Sequence, residues 1–280
     1  MAAARILAAV VVILGLCAPR HGDKHWVTPR SGLPRSVARR FDPEERYGLR
    51  VTLLAIALVL VGVPFGLLLD QVRRNGPLVR VDTWAANHLH AWVSEHEVAQ
   101  RFLGAVSFLG SPPWFWALIA AAAAYWWTRA AHRRIALYLV LTGVLGGVIS
   151  STVKVLVSRD RPSLVEPIAT AHGQSFPSGH AMLSVYGYGA LLLAFLPLVP
   201  RRRRPALIAG WVVLAVLIGF SRLGLGVHYI TDVLGGFVLG LAWLIASTAA
   251  FSIWRVERGK PDVEPEEGLE PEAARASSEG

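Results

Sequence analysis

The sequence predicts an all-α, polytopic membrane protein of six transmembrane helices, and three observations carry that expectation. Of its 280 residues, 54% are hydrophobic and 17% charged, with a mean hydropathy of +0.46, a composition more apolar than that of soluble domains. Six stretches, 49–69, 104–128, 135–157, 180–199, 205–221 and 230–254, are long and apolar enough to cross a bilayer core, which takes about 20 helical residues at about 1.5 Å each. None alternates in the ten-residue segments of a lipid-facing barrel strand. The chain therefore divides into a basic N-terminal head over 1–48, a six-helix membrane domain over 49–254 and an acidic tail over 255–280.

Taken in order, the head opens with Ile6–Ala18, an apolar run of 13 behind Arg5. It has the length of a signal-peptide core rather than a span. A signal, an interfacial segment and a start-site artefact all remain open readings, and a lipid anchor on Cys17 is disfavoured by the bulky Leu16 before it. Cys17 is the only cysteine, which excludes an internal disulfide and a multi-cysteine metal site. After the first span, VDTWAANHLHAWVSEH places Val81, Trp84, Leu89 and Trp92 near helical spacing, the pattern of an amphipathic helix at the membrane interface. Its histidines, His88, His90 and His96, have no acid or cysteine cluster beside them, so a metal site is not expected there. From Gly259 onward the chain is rich in Pro, Glu and Ser and is expected to be disordered.

The net charge of +9 is unevenly spread. Asp262–Gly280 carries seven acids against one base, while Lys and Arg gather beside apolar stretches: Arg20–Arg50, the Arg129–Arg134 link, the run Arg201–Arg204, and Arg255–Lys260. That distribution orients spans and does not describe a nucleic-acid surface. All four basic regions fall on one side of a six-span layout, so that side is expected to be cytoplasmic, with both termini inside a bacterial-type plasma membrane. Gln71–Arg101, Ser158–Gly179 and the turn SRLGLGVHYITD (221–232) then face outward.

Those outward segments hold three groups of ionisable residues where they are costly, which marks them as functional. In KVLVSRDRP, Lys154 precedes Arg161-Pro162, and Pro162 biases Arg161 toward an extended backbone. In SFPSGHAML, the run Pro177-Ser178-Gly179-His180 opens a helix, so the amides of Ser178, Gly179 and His180 point outward as an anion site. In SRLGLGVHYITD, His228 and Asp232 are four apart and would share a helix face. Lysine and arginine suit phosphate oxygens, so Lys154, Arg161 and Arg222 read as a clamp. Asp232 can accept a proton from one ring nitrogen of His228 and leave the other as a nucleophile, with His180 as general acid.

Lys154 with six residues to Arg161-Pro162, then Pro177-Ser178-Gly179-His180, then Ser221-Arg222 with five to His228 and three to Asp232, resembles the signature of the type-2 phosphatidic acid phosphatase superfamily. All eleven positions match in order and spacing. The resemblance spans about 50–254 and implies a metal-independent phosphatase with no cofactor. It implies phosphate binding by Lys154, Arg161, Arg222, Ser178 and the Gly179 amide, attack by His228 oriented by Asp232, and leaving-group protonation and then water activation by His180. One departure stands out: Gly224 occupies a position where many relatives carry an aromatic residue, which predicts looser walls beside the nucleophile.

The expected substrate is a membrane lipid phosphate, of polyprenyl diphosphate, phosphatidic acid or phosphatidylglycerol phosphate type, met at the bilayer. Transfer to an alcohol in place of water is the alternative, since the same intermediate serves both. A lipid-binding or transport protein without catalysis would show a damaged signature. Haloperoxidase chemistry, known in the same superfamily, is disfavoured by the six spans. No partner nucleic acid is expected, and the sequence carries no signal for an oligomeric state.

Overall fold

The structure, a computed structural model, describes residues 48–164, 168–261 and 263–273. The expectations for the head up to residue 47 and for the last residues from 274 on lie outside the described residues. Among the described residues eight α-helices follow one another: α1 (Gly48–Arg73), α2 (Pro77–Ser94), α3 (Glu97–Leu109), α4 (Pro112–Trp127), α5 (Arg133–Val157), α6 (Gly179–Phe195), α7 (Arg204–Gly224) and α8 (Ile230–Glu257). The one β-type pairing among the described residues is an isolated bridge between Glu264 and Gly268. The all-helical expectation therefore holds.

Four of the expected spans appear as helices long and apolar enough to cross a membrane: α5, α6, α7 and α8, with α6 and α7 extended by short 3-10 turns. The stretch 104–128 differs. It is two helices, α3 and α4, bent by 43°, and together they make a fifth candidate. The break lies at Gly110-Ser111-Pro112, where Ser111 is extended (φ −77°, ψ 146°) and Pro112 opens the next helix. Proline has no N–H to continue the preceding helix but is well suited to start one.

α6 is the most buried of these four helices, and α8, α7 and α5 all pack on it. Phe115, Trp126, Tyr138, Met182, Tyr186 and Phe251 fill the space between α4, α5, α6 and α8. The α6–α8 crossing is set by Gly236 and Gly240. A Cβ at Gly236 would stand 2.5 Å from the Ser178 carbonyl oxygen, and one at Gly240 would stand 2.6 Å from that of Met182. Small residues four apart let the two backbones approach closely, and van der Waals packing then holds them. This contact sets the start of α8 against the start of α6, where the ionisable residues lie.

α2 forms as expected, with Val81, Trp84 and Trp92 exposed. Its other face is not purely apolar: Asp82, Ala86, His90 and Val93 are its buried residues. The tail also departs from expectation. Residues 263–273 fold back on the helix ends that carry the basic runs: Leu269 N donates to Leu193 O at 3.0 Å, and the buried Arg255 donates to Leu269 O at 2.7 Å. Arg134 pairs with the buried Glu270 at 2.6 Å, His132 also meets Glu270, and Arg201 meets Glu267. The disorder expected from composition does not describe this stretch, because its acids pair with the arginines that orient the spans while Val263, Leu269 and Ala273 are buried.

Candidate active site

The residues at the far end of α5 from the basic link begin the site. Lys154 lies in the last turn of α5, and Ser158 ends the helix in the left-handed region at φ 51°. The chain then runs extended through Arg161, and Lys154 Nζ donates to Gln174 O at 2.8 Å in the returning strand of this loop. Arg161 spans the gap to the next loop. Its Nε donates to Gly173 O at 2.9 Å, and its Nη1 donates to Val227 O at 2.7 Å.

The same Nη1 lies 3.2 Å from His228 Nε2. A guanidinium can only donate, so Nε2 is the accepting, unprotonated nitrogen and Nδ1 carries the hydrogen. Nδ1 faces Asp232 Oδ2 at 3.4 Å. His228 itself is not on the last helix. It sits in the connection before α8, at 2% exposure, and Asp232 occupies the third helical position, where it also accepts from Tyr229 N at 2.9 Å. Gly226, at φ 72°, makes the turn that delivers His228. A Cβ there would fall 2.4 Å from Leu164 and 3.1 Å from His90 Nδ1, so only glycine suits both the angle and the space. Burial, opposed by the hydrogen bond and charge of Asp232, pushes the His228 imidazole down to about 4. A ring held that low is neutral at physiological pH, the form in which an imidazole nitrogen keeps a free lone pair.

Ser178 caps α6. Its hydroxyl oxygen accepts from Ala181 N at 3.5 Å, and its own N–H donates to Asp232 O at 2.9 Å. The amide counted from sequence among the free helix-end donors is thus committed to α8, while those of Gly179 and His180 begin the helix. A Cβ on Gly179 would stand 3.9 Å from Lys154 Cε, on the side where the cations gather. His180 is within electrostatic reach of Arg222, His228, Arg161 and Lys154. Arg222, in the last turn of α7, donates through Nη1 to the Ser107 hydroxyl, and its buried Nε has no partner among the described residues. All eight residues expected at the site thus lie around one place, formed where α5, α6, α7 and α8 end or begin.

Five neighbours carried no role in the sequence reading. Ser107 holds Arg222. Ser175 donates to Asp232 Oδ2. Arg159, two residues before Arg161, places Nη1 2.6 Å from Asp232 Oδ1 and Nη2 2.8 Å from Asp82 Oδ2. Thr231 donates its N–H to Asp82 Oδ1 at 3.0 Å. Burial disfavours the Arg159 charge, but Asp232 and Asp82 outweigh it and hold the guanidinium above its ordinary value. The looser walls expected beside Gly224 are not found: a Cβ there would meet Leu103 Cδ1 at 2.5 Å, so α3 fills that space. His88 on α2 and His96, which precedes α3, each bond a carbonyl one turn back, Trp84 O at 2.8 Å and Trp92 O at 2.7 Å. Among the described residues no cluster of three or more His, Cys, Asp or Glu could hold a metal ion.

A family model described as the PAP2 superfamily matches residues 131–255. Phosphatidylglycerophosphatase B of Bacillus subtilis (strain 168) is 35% identical over 154 residues, 54% of this chain and 71% of that protein. Undecaprenyl-diphosphatase BcrC of the same organism is 33% identical over 115 residues, 39% of this chain and 54% of that protein. The crystal structure of a transmembrane PAP2 type phosphatidylglycerolphosphate phosphatase from Bacillus subtilis superposes with a TM-score of 0.63 at 24% identity, over 69% of this chain and 94% of that one. The last likeness is one of fold.

Proposed function

The chain belongs to the PAP2 superfamily, a family of phosphatases that includes membrane lipid phosphatases, and from that premise we propose that it hydrolyses a lipid phosphate or diphosphate through a phosphohistidine on His228. The observation that carries this reading is the position of Arg161. Its guanidinium touches His228 Nε2 at 3.2 Å, so the cation that would bind a phosphoryl oxygen already stands beside the nitrogen that would attack phosphorus.

In the first step His228 Nε2 forms a bond to phosphorus, the bond to the leaving oxygen breaks, and His180 gives that oxygen a proton. Asp232 faces Nδ1 and stabilises the positive ring that results. Lys154, Arg161 and Arg222, with the Ser178 hydroxyl and the Gly179 amide, take the phosphoryl oxygens, supplying the charge that metal ions provide in other phosphoryl-transfer sites. In the second step His180 accepts a proton from water, the water oxygen bonds to phosphorus, and the N–P bond breaks to release phosphate and restore His228.

The relatives named for phosphatidylglycerophosphate and undecaprenyl diphosphate support a lipid substrate of those types. We place the site on the outer face of a six-span protein, with Gly48–Arg73 as the first span and both termini cytoplasmic. The support is the positive charge of the opposite helix ends, and an outward site suits the recycling of carrier diphosphate. Purified protein in detergent, with EDTA present, should release phosphate from undecaprenyl diphosphate, phosphatidylglycerol phosphate or phosphatidic acid. Absence of release from all three, or release only after a divalent ion is restored, would remove the reading.

A further inference from the structure

We propose that Arg159 and Asp82 are a positioning pair that fixes Asp232, and through it His228, by clamping the start of α8 to α2. The inference rests on His228 as the nucleophile. It concerns two residues outside the matched signature, one of them on a helix outside the segment matched by the family model.

The two oxygens of Asp232 are divided. Oδ2 accepts from Tyr229 N and the Ser175 hydroxyl and faces His228 Nδ1, while Oδ1 accepts from Arg159 Nη1 at 2.6 Å. A carboxylate held on one side only could turn about its own bond, so the orientation that meets His228 depends on the grip on Oδ1. That grip is itself held on three sides. Arg159 Nη2 reaches Asp82 at 2.8 Å, Nη1 also donates to Thr231 Oγ1 at 2.7 Å, and the guanidinium lies 4.2 Å over the Tyr229 ring. Asp82 in turn accepts from Thr231 N, one of the free amides at the start of α8.

The charges make the arrangement more than a tie. Two buried carboxylates, with side chains 1% and 0% exposed, share one guanidinium that is 10% exposed. Their helix-end amides and this single cation keep both anions in place. Loss of Arg159 alone would set two buried anions against each other, with the helix-end amides and, for Asp232, the charges of Lys154 and Arg161 left to oppose them. Loss of Arg159 and the Asp82 charge together would return Asp232 to a lone carboxylate on a helix N-terminus. A planar fork is needed to bridge two acids, and lysine supplies a point charge only.

The test compares Arg159→Gln, Arg159→Lys, Asp82→Asn, the double variant D82N/R159Q, and His228→Ala, all full-length in detergent, on p-nitrophenyl phosphate and on a lipid phosphate. A misplaced nucleophile costs about 10²-fold in rate, so R159Q should lose roughly that in kcat with KM changed less than about threefold. The loss should be equal on both substrates, because the nucleophile and not the leaving group is affected. R159K should recover part of it, D82N should lose about tenfold, and D82N/R159Q should be more active than R159Q. Wild-type kcat in R159Q, or a double variant whose loss equals the product of the single losses, would overturn the pair. If R159Q fails to fold, D82N and R159K decide: wild-type kcat in both overturns the proposal. Turnover by His228→Ala would instead overturn the assignment of the nucleophile, a distinct result.

Discussion

Replacing Gly236 by alanine adds one methyl group where α8 crosses α6, and the structure fixes what that methyl meets. It would lie 2.5 Å from the Ser178 carbonyl oxygen, 3.0 Å from Ala181 Cβ and 3.1 Å from Met182 N. Ordinary contact between such atoms begins near about 3.5 Å, so the helices must part by about 1 Å. Two of the three obstacles are backbone of the first turn of α6, so no side chain can swing aside. Overpacking of this kind costs about 1–3 kcal/mol. The functional cost is larger, because the same crossing holds Ser178 N on Asp232 O at 2.9 Å and so sets the α6 amides and His180 against His228 and Asp232. A displacement of about 1 Å in a reacting constellation costs roughly 10²-fold. Thermal unfolding in detergent together with phosphate release should show G236A as a folded protein of lower Tm and about a hundredfold lower kcat. Wild-type Tm and rate would refute the claim that the close α6–α8 approach builds the site.

Three further predictions address roles, protonation and sidedness. His180→Ala should lose most with a lipid alcohol as leaving group and recover part of its phosphorylation rate with p-nitrophenyl phosphate, since general acid assistance is worth about 10²–10⁴-fold; equal losses on both would contradict its role. The His228 imidazole is depressed to about 4, chiefly by burial, so its stabilising contribution is complete above its ordinary value near 6.5 and is lost as pH falls from there toward about 4. Wild-type Tm should therefore drop more than that of His228→Gln between pH 7 and 4.5, and parallel curves would argue against a buried neutral ring. Finally, a cysteine placed between Pro162 and Gln174 in a Cys17→Ser background should react with an impermeant thiol reagent in intact cells, and one beside Arg201 should not; the reverse pattern would move the site to the cytoplasmic face.

The residues proposed to carry chemistry were legible because their spacing constrains them locally. Lys154, His180 and Arg222 sit at helix ends, and Arg161 and His228 in the short connections beside them, which hydropathy alone locates to within a few residues. Asp82 was not legible. Its partner Arg159 is 77 residues away, and an acid on an amphipathic stretch reads as part of the wet face, whereas the apolar spacing of Val81, Trp84 and Trp92 marks the face left exposed. Arg159 was in view within KVLVSRDRP but had no nearby acid in sequence to give it a task. The kink at Gly110-Ser111-Pro112 was written in residues that break helices, and the high hydropathy on both sides masked it. In the tail, composition argued against a packed segment on its own, and the segment packs because Arg134, Arg201 and Arg255 supply partners from other elements and the main core takes in Val263, Leu269 and Ala273.

The central claim is that phosphate passes through His228. Purified wild-type protein mixed with ³²P-labelled substrate and quenched within milliseconds into alkaline SDS should carry label on the protein, stable in base and released by mild acid as a phosphoramidate is. The label should map to the peptide containing His228, be absent in His228→Ala, and accumulate in His180→Ala, where water activation is lost. Full turnover with no protein-bound label in His180→Ala, or label that persists in His228→Ala, would contradict the account.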